Sequence, residues 1–150
     1  MANSREVPAG GSSAQTAARL VLGAGLVTIG LAHLSWLREE FQAQVPSWLG
    51  VDEDLVVVAS GVVEVALGAA LLLARRKRVV VGWVTAAFFV IIFPGNVAQY
   101  VEGVDAFGLS TDAARAARLA FQPLLVAVAL WCTGAWDGWR RRRGLPADHA

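Results

Sequence analysis

Residues 55–74 read LVVVASGVVEVALGAALLLA, and the four that follow, Arg75, Arg76, Lys77 and Arg78, are all basic. Twenty residues rising ~1.5 Å each span the ~30 Å of hydrocarbon in a bilayer, whereas a soluble amphipathic helix would bring polar residues round on every turn. The stretch therefore reads as a transmembrane helix ended by a basic stop. Outward from it, residues 20–37, 79–101 and 119–136 are apolar runs of 18, 23 and 18 residues. Across all four runs there is one formal charge, Glu64, although the chain carries 13 basic and 12 acidic side chains. The fold expected is all-α: a four-transmembrane-helix, up-down-up-down antiparallel bundle.

Residues 1–18, with Pro8, Gly10, Gly11, Ser12 and Ser13, lack an apolar period and read as a flexible tail; residues 19–139 form the membrane domain and residues 140–150 a basic tail. The first run is long for the apolar part of a cleaved signal, and no small-x-small site follows it, so it is taken as a span. Arg5, Arg19, the 75–78 link and Arg140 to Arg143 then fall on one side. The other two loops lean acidic, with Glu39, Glu40, Asp52, Glu53 and Asp54 in one and Glu102, Asp105 and Asp112 in the other. The excess of Lys and Arg places both termini in the cytoplasm of a multi-pass cell-membrane protein. Trp36 and Trp48 fall near the outer ends, and Trp83, Trp131, Trp136 and Trp139 near the inner ends, as an interfacial belt requires. The loop from Arg38 to Asp54, carrying Phe41, Val45, Pro46, Trp48 and Leu49, is expected to lie on the membrane surface and lid the bundle.

Composition removes several kinds of chemistry. One cysteine, Cys132, cannot make an intramolecular disulfide, a CxxC pair or a thiolate zinc site. Two histidines, one of them His149, leave no ordinary pair of haem ligands, and no metal site is expected. No GxxxxGK[ST] or GxGxxG is present to cradle phosphate. Arg140 to Arg143, directly after a span, signal topology rather than nucleic-acid binding.

Glu64 lies nine residues below Leu55, ~13 Å into the membrane by helical rise. A carboxylate facing lipid there costs at least ~2.5 kcal/mol, so Glu64 should face the bundle interior, be protonated, or have a partner. Ser60, Glu64 and Gly68, spaced by four, share one face with small residues that admit a neighbouring helix. His33 ends the first run, Asn96, Gln99 and Tyr100 end the third, and Arg118 with Gln122 opens the fourth. All converge on the outer half of the bundle, beside Pro94 and Pro123, each of which removes a helix donor. Glu64, His33 and Arg118 are the candidate catalytic groups. Asn96, Gln99, Tyr100, Gln122, Trp36 and Trp48 are the candidate ligand contacts. Spacing alone does not bring His33 to Glu64.

The blocks GLAH (30–33), VPSWL (45–49), SGVVEVALG (60–68), FPGNV (93–97) and RLAFQPLL (118–125) resemble those of DoxX-like small membrane proteins, over residues 20–136. The resemblance implies a four-helix membrane protein with His33, Glu64, Asn96, Arg118 and Gln122 at polar motif positions. The wider family includes subunits associated with quinone-linked sulfur oxidation, methylamine-utilisation accessory proteins and members with no assigned role, and the chain lacks the cysteine pair of its redox-active relatives. Three roles follow. The first is an accessory or binding subunit that holds a lipid- or quinone-like molecule and supports a membrane oxidoreductase or a second copy of itself. The second is a structural or assembly factor. The third is a small enzyme using Glu64 and His33 for proton transfer on an apolar substrate, with Arg118 stabilising developing negative charge.

Overall fold

A computed structural model describes residues 11–143. Among them there is no strand; the elements are α1 (Ser13–His33), α2 (Arg38–Gln42), a 3-10 turn (Ser47–Leu49), α3 (Glu53–Leu73), α4 (Arg78–Val101), α5 (Asp112–Cys132) and α6 (Ala135–Arg142). Helices α1, α3, α4 and α5 are long and apolar enough to cross a membrane. This is the architecture of a multi-pass membrane protein. Side chains such as Val21, Leu73, Ile91 and Val101 stand well exposed on the bundle's outside, where lipid is the solvent they suit.

Local chemistry sets the helix ends. Ser12 accepts from Gln15 N at 3.1 Å, and Gln15 Oε1 accepts from Ser12 N at 2.9 Å, a reciprocal cap that satisfies two otherwise orphan donors. This starts α1 at Ser13, so residues 13–18 belong to a helix and not to the tail expected through residue 18. Residues 1–10 and 144–150, including His149 and most of the expected C-terminal tail, lie outside the described residues. Arg140 to Arg142, expected in that tail, are the last turn of α6. Asp52 caps α3 through Leu55 N at 2.9 Å, and Glu53 and Asp54 add negative charge where the helix dipole favours it. Thr111 caps α5 through Ala114 N at 3.2 Å, so this helix begins seven residues before the apolar run. It stops at Cys132, within the expected 119–136 span, because Gly134 turns the chain at φ 71° into α6. Helices α4 and α5 continue through Pro94 and Pro123 without interruption.

Packing is organised in two pairs. Along the α1–α3 seam Gly23 meets Gly68 and Gly30 meets Gly61, numbers that rise on one helix as they fall on the other, so the two run antiparallel. A Cβ on Gly30 would sit 2.7 Å from the Gly61 carbonyl, which is why both positions are glycine. The α4–α5 pair is antiparallel by the same test, with Gln122 at Phe89 and Asn96 and Thr133 at Gly82. Leu26, Leu67, Leu71, Phe88, Phe89, Ala129 and Leu130 form the shared core. At one end of the bundle lie the start of α1, the 74–77 link and α6; at the other lie α2, the 3-10 turn and the 102–111 connection.

Candidate functional site

The polar residues gather at the loop end, in three linked sets. In the first, His33 from the last turn of α1 meets Glu64 from the middle of α3. His33 Nδ1 is 2.9 Å from the Ile29 carbonyl and 3.0 Å from Glu64 Oε2. His33 Nδ1 thus lies between two oxygens, the Ile29 carbonyl and the Glu64 carboxyl group, within hydrogen-bonding reach of both. Glu64 is 4% exposed, and its Oε2 makes no well-directed hydrogen bond although the imidazole lies 3.0 Å away. The glycine seam makes this meeting possible: a Cβ at Gly61 would strike His33 Cβ at 2.8 Å.

The second set bridges α4 and α5. Asn96 Nδ2 donates to Gln122 Oε1 at 3.0 Å, and Gln122 Nε2 donates to the Phe89 carbonyl at 2.7 Å. Both side chains are buried. The third set runs through the lid. Arg118 Nη2 donates to Gln44 Oε1 at 2.9 Å, Gln44 Nε2 donates to Gln99 Oε1 at 3.1 Å, and Gln99 reaches the Val104 carbonyl at 3.5 Å.

Aromatic rings join the first set to the third. His33 stacks on Phe41 with centroids 3.3 Å apart and planes 16° apart, Phe41 meets Phe107 at 4.6 Å, and the Arg118 guanidinium lies over Phe107 at 5.1 Å. Glu40 accepts from Phe107 N at 2.7 Å, fixing a residue whose φ of 56° is unusual for a bulky side chain. Arg38 anchors the lid to the start of α3 through a paired contact with Asp54, which Gln42 also bonds at 2.6 Å. The hydrogen bond from Arg38 to that carboxylate, with Coulomb attraction behind it, holds the guanidinium above its ordinary value.

The structure thus brings His33, Glu64, Asn96, Gln99, Arg118 and Gln122 to one end, with His33 and Glu64 in direct contact. It does not bring in the other three candidates: Trp36 is 67% exposed, Trp48 66% and Tyr100 41%. Trp36 lies in the turn after α1 and Trp48 in the 3-10 turn, both outside the packed bundle, while Tyr100 follows Gln99 by one residue and so faces about 100° away from it. The gathered amides and Arg118 bond one another or the lid's Gln44. Gln44, Phe41 and Phe107 were not singled out from sequence. Their signal is aromatic and amide residues inside acidic loops, a pattern without a period to expose it. Arg115, also unsuspected, is buried and pinned to Asp112, Asp105 and the Gly103 carbonyl, closing the 102–111 connection onto α5.

A family described as "Domain of unknown function (DUF8561)" matches residues 3–133 of the chain. No curated protein and no solved structure matches it.

Proposed function

The chain belongs to the DUF8561 family, and from the geometry of its loop end we propose that it is a membrane-embedded accessory or binding subunit for an apolar molecule with a hydroxyl- or carbonyl-bearing head, of lipid or quinone type. One observation carries this reading: Glu64 Oε2, buried in the bundle, lies 3.0 Å from His33 and receives no well-directed hydrogen bond. A buried acceptor left so costs about 1–3 kcal/mol, and a ligand hydroxyl is the group that removes the cost. The surroundings suit a quinone-type head, whose quinol form carries the donating hydroxyl. Phe41 and Phe107 offer ring faces, and Arg118 and Gln44 can exchange their mutual bond for one to a carbonyl oxygen. A quinone would supply electron transfer; the chain's own part is to position the head and to pass a proton between Glu64 and His33. The DoxX-like resemblance supports a membrane oxidoreductase as partner, and a second copy of the chain is the alternative. Basic residues at the end that holds the 74–77 link and α6 support a cell-membrane orientation with that end in the cytoplasm.

A second reading, a structural or assembly factor, is favoured by the Asn96–Gln122–Phe89 set, whose amides are satisfied by helix-to-helix bonds. Native mass spectrometry of the full chain in mild detergent, wild type beside Glu64→Gln, separates the two. A quinone or lipid retained by wild type and lost in the folded variant is the expected outcome. No bound molecule in either, with an oligomer or partner lost in the variant, selects the assembly role.

A further inference from the structure

The opposite end of the bundle carries a groove that the loop-end site does not use. Gly134, at φ 71°, turns the chain so that α6 lies across the start of α4. Between them is a half-open groove of about 820 Å³, within the range of small-molecule sites. Val79, Val80 and Trp83 of α4 form an apolar wall, Trp139 closes the far side, and Arg141 and Arg142 stand at the rim. Gly138 lines the groove beside Val79, which an added Cβ would meet at 3.8 Å, an ordinary contact. Trp139 is held in place by Trp136, 5.5 Å away, and by Arg143 over its ring at 4.7 Å.

We propose that this groove binds one anionic phospholipid, its acyl chain along Val79, Val80 and Trp83 and its phosphate on Arg141 and Arg142. The argument is charge and polarity complementarity at a fixed depth. An apolar wall beginning where a transmembrane helix begins lies at the acyl boundary, and tryptophan favours that interface. Arg141 and Arg142, lining the same groove, offer guanidinium forks whose geometry suits phosphate oxygens. A soluble anion would gain nothing from Val79, Val80 and Trp83, and in a zwitterionic lipid such as phosphatidylcholine the choline cation offsets the attraction of the arginines for the phosphate.

The full chain, purified in detergent, is presented with a phosphatidylglycerol and a phosphatidylcholine of identical acyl chains, and adducts are counted by native mass spectrometry. Wild type should retain phosphatidylglycerol in preference. Arg141→Gln/Arg142→Gln should reduce that preference roughly 30-fold, about fivefold for each arginine. Both residues are exposed, so the bundle remains folded. Trp83→Ala should weaken retention of both lipids alike. Arg75→Gln/Arg76→Gln, basic residues at the same end but outside the groove, should leave the preference intact. Equal retention of the two lipids, an unchanged preference in the Arg141/Arg142 variant, displacement by inorganic phosphate, or equal loss in the Arg75/Arg76 variant would each overturn the proposal.

Discussion

Arg19 donates to the Leu71 carbonyl in the last turn of α3, although it stands within α1 and is 6% exposed. The last carbonyls of a helix have no partner within it, and the Arg19 guanidinium supplies one across the seam. By charge counting Arg19 is one more basic residue flanking a span; only the start of α1 at Ser13 reveals that it lies inside the helix, two turns from its end. Arg19→Ala should lower stability by about 1.5–3 kcal/mol, the usual worth of a hydrogen bond to a charged group, in unfolding by a denaturing detergent titrated into mixed micelles. An unchanged unfolding curve would show that water reaches Leu71 instead. Glu64 was legible because a single charge among four apolar runs cannot be overlooked. Its partner was not, since His33 reaches it through three-dimensional packing that no spacing encodes.

At the scale of elements, the α1–α3 seam rests on backbone proximity at Gly23, Gly30, Gly61 and Gly68. Gly25 on the same helix would place a Cβ in open space. Gly61→Val should therefore cost about 1–3 kcal/mol by overpacking and displace His33 from Glu64, while Gly25→Ala should stay within about 0.5 kcal/mol of wild type. Thermal unfolding of the two variants side by side checks the contrast; equal effects would mean that the seam is looser than its geometry. The SGVVEVALG block showed Gly61 and Gly68, and four-residue spacing put Ser60, Glu64 and Gly68 on one face, but the glycines they meet on α1 were not read as its counterpart. The ends of α5 were less legible. A hydropathy run begins at Leu119, but Thr111 can cap a helix whose first two turns carry Asp112, Arg115 and Arg118, and a single glycine at 134 ends it sooner than apolarity would.

For the whole molecule, the 74–77 link and α6 lie at one end and α2 with the 102–111 connection at the other. Single cysteines placed in a Cys132→Ser chain test which end faces the cytoplasm. Arg76→Cys and Arg143→Cys should label with an impermeant maleimide only after the cells are opened, and Glu53→Cys and Glu102→Cys while they are intact. Direct labelling at Arg76 or Arg143 would reverse the orientation derived from charge. The span count and the clustering of basic residues at one end were legible because both depend on composition over long windows. The lid's attachments were not, because Phe41, Gln44 and Phe107 act through single contacts between distant loops.

Those attachments have a mechanical consequence. The α1–α3 and α4–α5 pairs are each closely joined, and far less contact links one pair to the other. They resemble two stiff boards hinged at one edge by the short chain of residues 74–77. The opposite edge is held by a clasp, Phe41 gripping one board through His33 and Gln44 gripping the other through Gln99 and Arg118. The softest motion of such an object widens the clasp edge while the hinge edge stays shut. Load that parts the two boards is therefore borne first by two glutamines, an arginine and a ring stack, and only afterwards by the shared core of Leu26, Leu71, Phe89 and Ala129.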